Sequence, residues 1–177
     1  AEPATYYYAY INYLNADYTT ALKEFERLKG SKTYEDSYPY YISALYFLDK
    51  RYNDVLSYAL PHLKNINAKY ETELLRIIAA SYFANSAYTD AANYYQQFQD
   101  KVEELKNEYQ KLIEEYKWND LVYKAKFNFE PVIGKIYHLY YSTDGTTFLS
   151  LIQPNEWNRE HIGSFKYNHD NKWIKID

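Results

Sequence analysis

Apolar residues recur every three to four positions from Tyr6 to about Phe127, and after Pro131 the period changes to two, with alternation over Lys135 to Tyr141. The first period is that of helices with one buried face, the second that of strands with one buried face. Polar breaks at Asn15-Ala16-Asp17, Asp49-Lys50-Arg51 and Asn85-Ser86-Ala87, with Gly30 and Asn65-Ile66-Asn67 between them, predict helices near 4–15, 18–29, 37–49, 52–64, 70–84 and from 88 onward. No Pro lies between Pro61 and Pro131 and no Gly between Gly30 and Gly134. The last helix therefore runs uninterrupted from Asp90 to about Phe127, roughly 55 Å at 1.5 Å per residue. After Pro131, strands are predicted at 135–141, 147–152, 161–167 and 172–176, with Asp144-Gly145 turning the first hairpin and a short turn at Pro154 to Trp157. The predicted class is α+β: three helical hairpins forming an α-solenoid, then a long helix and a four-stranded antiparallel β-meander, divided as 1–98 and 99–177.

The helical half repeats. Ala9-Tyr10-Ile11-Asn12-Tyr13, Asp17-Tyr18, Ala21 and Phe25 match Ser43-Ala44-Leu45-Tyr46-Phe47, Arg51-Tyr52, Val55 and Ala59. Both match Ala79-Ala80-Ser81-Tyr82-Phe83, Ala87-Tyr88, Ala91 and Tyr95. The anchoring tyrosines at 18, 52 and 88 set a period of 34 to 36 residues. Small residues at 9, 43 and 79 would let the two helices of a hairpin approach closely, and the aromatic residues would fill the wedge between hairpins. Asn12 and Ala59 stand where the pattern wants an aromatic residue.

This order and period resemble tetratricopeptide repeats. The wording Tyr38-Pro39-Tyr40-Tyr41-Ile42 with Tyr46-Phe47, and Leu74-Leu75-Arg76-Ile77-Ile78-Ala79 with Ser81-Tyr82-Phe83, resembles the Tyr-rich tetratricopeptide proteins of Bacteroidetes. The resemblance implies a concave groove lined by the first helix of each hairpin, which places Tyr6, Tyr10, Tyr13, Tyr40, Phe47, Arg76 and Phe83 on or near it. It also implies a bacterial protein, either cytoplasmic or periplasmic and envelope-associated, while the sequence itself leaves the compartment undetermined. The Lys and Asn that clamp a terminal carboxylate in chaperone-binding relatives are replaced by Tyr6, Tyr10, Tyr40 and Ala44, which argues against a chaperone-tail receptor.

The second half carries another resemblance. Phe129-Glu130-Pro131-Val132-Ile133-Gly134-Lys135-Ile136-Tyr137-His138-Leu139-Tyr140, Phe148-Leu149-Ser150-Leu151-Ile152, Pro154, Glu156-Trp157 and Gly163-Ser164-Phe165 are similar to a small family of domains of unknown function, over about 100–177. That family brings no activity. The two resemblances meet inside a continuous helix near Phe98 to Val102, so a natural two-domain protein and a composite chain are both open readings.

Composition narrows the chemistry. A chain of 177 residues with 47% hydrophobic residues buries roughly two thirds of its unfolded surface, enough for a stable core. Its net charge of -4, from 20 basic and 24 acidic residues, argues against nucleic acid as partner. No apolar run approaches the about 20 residues that span a bilayer, and no signal-peptide pattern opens the chain, so a soluble, processed protein without membrane insertion is expected. The absence of Cys removes disulfides, thiolate metal sites and thiol nucleophiles, while the 25 Tyr and the absence of Met name no reaction.

Candidate catalytic residues are sparse. No two of His62, His138, His161 and His169 share the i, i+4 spacing of a helical zinc pair, and Gly163-Ser164 lacks the second half of a nucleophile elbow. The adjacent acids Glu103-Glu104 and Glu114-Glu115 read as solvated helix surface, and Trp157 as cover for the end of the sheet. No metal, cofactor or catalytic residue is assigned. The reading is a non-enzymatic scaffold holding a peptide or protein partner by its Tyr-lined face or by the open solenoid end. The alternative is a small-ligand or enzymatic site around His138 and Trp157. Along the long helix, Val102, Leu105, Tyr109, Leu112, Tyr116 and Tyr123 form an a/d stripe interrupted by Asn119. It reads first as a face packed on the chain's own sheet or last repeat, and otherwise as the seam of a dimer.

Overall fold

The computed structural model describes residues 2–176. They form α1 (Glu2–Leu14), α2 (Tyr18–Glu26), α3 (Tyr38–Leu48), α4 (Tyr52–His62), α5 (Ala68–Ala84), α6 (Tyr88–Tyr123), then β1 (Ile136–Tyr141), β2 (Thr147–Ser150), β3 (His161–Tyr167) and β4 (Trp173–Lys175). Two compact units divide the chain, Ala1–Glu104 and Leu105–Asp177, with α6 contributing to both.

In the first unit the repeat is visible in the backbone. Ala16, Lys50 and Ser86, 34 and 36 residues apart, are non-glycine residues with φ near +60°. Each ends the first helix of a hairpin in the same way. Asp17, Arg51 and Ala87 donate their backbone N–H back to the carbonyls of Asn12, Tyr46 and Tyr82 at 2.9 Å, and Ala16, Lys50 and Ser86 donate to Tyr13, Phe47 and Phe83. This is the Schellman arrangement, in which a left-handed residue satisfies carbonyls that the helix end leaves without partners. The small residues also recur in place: Ala9, Ser43 and Ala79, and Ala21, Val55 and Ala91, are all buried. Ser43 hides its hydroxyl by donating to the Pro39 carbonyl at 2.7 Å. Around them Phe25, Ile42, Leu45, Leu74 and Ile78 are fully or nearly fully enclosed, each contributing about 2 kcal/mol by burial.

The second unit is a four-stranded antiparallel sheet in the order β2-β1-β3-β4. The antiparallel sheet agrees with the sequence pattern, but the sequential meander does not: β1 lies between β2 and β3. A meander needs a short turn from β2 to β3, whereas residues 151–160 form a ten-residue connection that passes the end of β1. That connection is fastened to β1 at both ends. The Tyr140 hydroxyl donates to the Ile152 carbonyl at 2.7 Å and the Tyr141 N–H to the Glu160 carbonyl at 3.0 Å.

Alternation assigns the two faces. Tyr137, Leu139, Leu149, Phe165 and Trp173 pack with Val122 and Ala125. His138 and Tyr140 take the opposite face, where Tyr140 is buried beneath Trp157 at 5.5 Å and beside Phe148 at 5.8 Å. The free edge of β4 is met by Asn119. Its Oδ1 accepts from the Trp173 N–H at 2.7 Å and its Nδ2 donates to the Trp173 carbonyl at 2.9 Å, the pair of bonds a neighbouring strand would supply. On the other edge, Lys126 bridges to β2, donating to the Thr147 carbonyl and accepting from the Leu149 N–H.

These contacts correct the expected packing of the long helix. The side chains of α6 that pack on the sheet are Trp118, Leu121 and Val122, together with Asn119, and most of the a/d stripe is left out: Val102, Leu105, Tyr109, Leu112 and Tyr116 are exposed, while Tyr123, also exposed, donates its hydroxyl to the Asn171 carbonyl in the turn before β4. The helix turns a different face inward because the sheet is met by its last two turns only, at the i, i+4 positions 118 and 122. Asn119, the interruption in the stripe, is a sheet-docking residue.

Candidate functional site

The first helices of the three hairpins supply tyrosines to a common cluster. On α1, Tyr6, Tyr10 and Tyr13 follow the i, i+4, i+7 spacing of one helix face, and all three turn their rings to Tyr41 of α3, at 6.2, 5.7 and 5.4 Å between centroids. Tyr41 is buried, stacked on Phe25 at 4.7 Å, and meets Tyr40 and Tyr70 edge to face. The hydroxyls of Tyr41 and Tyr70 are hydrogen-bonded at 3.2 Å. Over this cluster lies a recess of about 300 Å³, lined by Tyr10, Tyr13, Tyr40, Tyr41 and Tyr70 with Lys69 and Glu73 at its rim. Its walls come from α1, α3 and α5.

Burial fixes the chemistry of these phenols. It is the leading cause pushing Tyr40 and Tyr41 far above the ordinary tyrosine value, and it raises Tyr6 as well; the nearby Tyr13 and Glu73 add to the effect on Tyr40, and the bond to Tyr70 to that on Tyr41. Each stays a neutral hydroxyl on an apolar ring. Such groups make contact area and accept or donate hydrogen bonds, and they cannot act as bases near neutral pH.

The seven residues picked from the sequence separate in space. Tyr10, Tyr13 and Tyr40 line the recess. Tyr6 belongs to the cluster but is covered by a stack with Tyr34 at 4.4 Å. Phe47 pairs with Tyr52 at 5.8 Å. Arg76, held by Glu73, and Phe83, 66% exposed and edge to face with Tyr88, line a second, apolar groove of about 500 Å³ between α5 and the start of α6. Tyr34 and Tyr70 also join the cluster, although the groove positions of the repeat do not include them. Their 36-residue separation, equal to that of the anchors at 52 and 88, is the signal that marks them in the sequence.

A polar cluster of the second unit centres on Ser164. Ser164 stands opposite His138 in the β1–β3 register, with its Oγ 2.9 Å from His138 Nδ1 and 3.2 Å from His161 Nε2. Ser164 is in mid-strand and buried, without the strand-to-helix turn that presents a nucleophile. Trp157 packs on Tyr140 and Phe148 instead of on His138. Among the described residues, no group of three His, Asp or Glu side chains is placed to hold a metal ion, and no helix is long and apolar enough to cross a membrane.

Comparison with known proteins covers the sheet and the helices before it. The Caenorhabditis elegans protein named uncharacterized protein C08B11.9 is 27% identical over 86 residues, 45% of this chain and 46% of that protein, so the match spans about half the length of the relative. A family model described as protein of unknown function, DUF2452, matches residues 63–177. The match begins well before residue 100 and runs through the Phe98 to Val102 segment, joining α5, α6 and the sheet in one family module. The chain thus belongs to the DUF2452 family.

Proposed function

We propose that the chain is a non-enzymatic interaction scaffold whose three tetratricopeptide-like hairpins hold a peptide segment of a protein partner in the Tyr-lined recess. The observation that carries this reading is the recess itself: tyrosines from α1, α3 and α5 converge on one concavity of about 300 Å³. Rigid aromatic rings make large contacts at low entropic cost, and their hydroxyls can meet a peptide backbone. Lys69 and Glu73 at the rim bring one charge of each sign, which suits orientation of a polar peptide more than strong charge attraction.

The test is selection of peptides from a random display library against the whole chain, followed by affinity measurements. Binding should weaken about tenfold or more in Tyr10→Ala and in Tyr13→Ala with far-ultraviolet circular dichroism unchanged, and stay within about twofold in Phe83→Ala. Selected peptides indifferent to Tyr10 and Tyr13 would refute the recess as their site.

A second reading, chemistry in the sheet unit, is favoured by the Ser164 hydroxyl standing between two imidazoles. A fluorophosphonate probe that labels the wild type and spares Ser164→Ala would support it over the scaffold.

A further inference from the structure

Residues 102–112 of α6 are exposed at every position, so three turns of helix stand in solvent on all sides. A bare helix of this length is marginal in water and gains most of its stability from packing an apolar face. Such a face is present. With Val102 at a, the a positions of α6 are Tyr88, Tyr95, Val102, Tyr109, Tyr116 and Tyr123, and the d positions are Ala91, Phe98, Leu105, Leu112 and Asn119. The apolar series keeps a period of seven from Tyr88 to Tyr116, the period of a two-stranded coiled coil, and Asn119 interrupts it. Tyr109, Leu112 and Tyr116 are 66%, 60% and 70% exposed.

We propose that this stripe is covered by α6 of a second copy of the chain, running antiparallel, with Val102 facing Leu105 of the other copy. The charges flanking the stripe select this arrangement. The e positions carry Ala92, Gln99, Lys106, Ile113 and Asp120, and the g positions Tyr94, Lys101, Glu108, Glu115 and Val122. A parallel in-register pair sets g against the e five residues on in its partner. Lys101 would then meet Lys106, and Glu115 would meet Asp120. Antiparallel helices set g against g and e against e. With Val102 facing Leu105, Lys101 meets Glu108 twice by symmetry, Gln99 meets Lys106, and no two like charges oppose. Lys101 already holds Glu71 at 3.3 Å and Glu104 at 2.9 Å, so it is fixed in place on that flank.

The same register fills the groove between α5 and α6. Tyr95 and Ala91, which line it with Phe83 and Ala79, fall opposite Leu112 and Tyr116 of the other copy. Each copy thus offers a groove at one end of the stripe and a bare apolar helix at the other, a self-complementary surface that closes with two-fold symmetry.

The absence of Cys allows a direct test with the full chain. Sedimentation from about 1 μM to about 200 μM should show a dimer, lost in Tyr109→Lys at unchanged helicity. Glu108→Lys should weaken the dimer about tenfold through two repulsive pairs, and Gln99→Glu should strengthen it through two new attractive ones. Under mild oxidation, Val102→Cys mixed with Leu105→Cys should form a disulfide between the two proteins, while neither alone cross-links with itself. A wild-type monomer throughout that range overturns the proposal. So does self-cross-linking of Val102→Cys alone, the mark of a parallel pair, or a dimer indifferent to Tyr109→Lys, the mark of another interface.

Discussion

Tyr40 and Tyr70 stack face to face with their centroids 4.9 Å apart, and Tyr6 and Tyr34 repeat the relation one hairpin earlier at 4.4 Å. In each pair the later ring comes from just before, or within the first turn of, the next hairpin's leading helix. The stack is therefore a joint between successive hairpins. A double-mutant cycle with Tyr40→Leu and Tyr70→Leu should give a coupling energy of about 1 kcal/mol in denaturant unfolding, within the usual range for aromatic pairs. A coupling near zero would mean that the rings only share a surface.

Three phenols of the helical unit, two in this cluster and Tyr58 on α4, make stability fall in alkali. Tyr40, Tyr41 and Tyr58 are all raised above the ordinary tyrosine value, chiefly by burial. In the unfolded chain they ionise near pH 10, while the folded protein keeps their protons. Above that pH the unfolded state binds fewer protons, so the slope of unfolding free energy against pH is negative. Their contribution is complete below about pH 10 and is lost progressively above it. The denaturant midpoint should drop between about pH 10 and about pH 12, and drop less in Tyr41→Phe, which has no proton to lose.

Each hairpin turn carries a removable strain. Ala16, Lys50 and Ser86 adopt φ near +60°, where a Cβ costs about 1 kcal/mol and glycine costs nothing in the folded state. Lys50→Gly should raise stability by about 0.5 kcal/mol after the added entropy of the unfolded chain is subtracted, and Ser86→Gly likewise. Thermal or chemical denaturation that shows a loss would mean these side chains make compensating contacts.

Asn119 holds both backbone groups of Trp173. Asn119→Leu keeps the side-chain size but removes both bonds, and should destabilise the sheet unit by about 2 kcal/mol. Hydrogen exchange at the Trp173 amide should accelerate in this variant more than exchange at amides in α3. Equal acceleration in both places would deny a local role.

Trp157 covers Tyr140 and Phe148, and Arg159 lies over its outer face at 5.4 Å. Trp157→Ala should cost about 3 kcal/mol by opening that corner, and Trp157→Phe about half as much. Unchanged stability in both would argue that the ring is kept for contact with another molecule.

Much of the helical unit is legible in the amino-acid pattern. The spacing of 34 to 36 residues places the small residues, the aromatic anchors and the three turns, because each depends on local periodicity and on helix-end geometry that one sequence displays. The strands and the Asp144-Gly145 turn are legible for the same reason. The order of the strands is not: the path of residues 151–160 past β1 depends on where Tyr140 and Tyr141 tie it, which is a contact and not a pattern. The recess is legible in part. Tyr10, Tyr13 and Tyr40 follow from the repeat, while Tyr70 enters because the first turn of α5 brings its ring onto Tyr40. On α6, the sequence determined that a seven-residue apolar stripe exists, since periodicity is a property of the chain alone. Only the tertiary structure decided that the stripe faces solvent, because it alone records that Trp118, Val122 and Asn119 take the sheet.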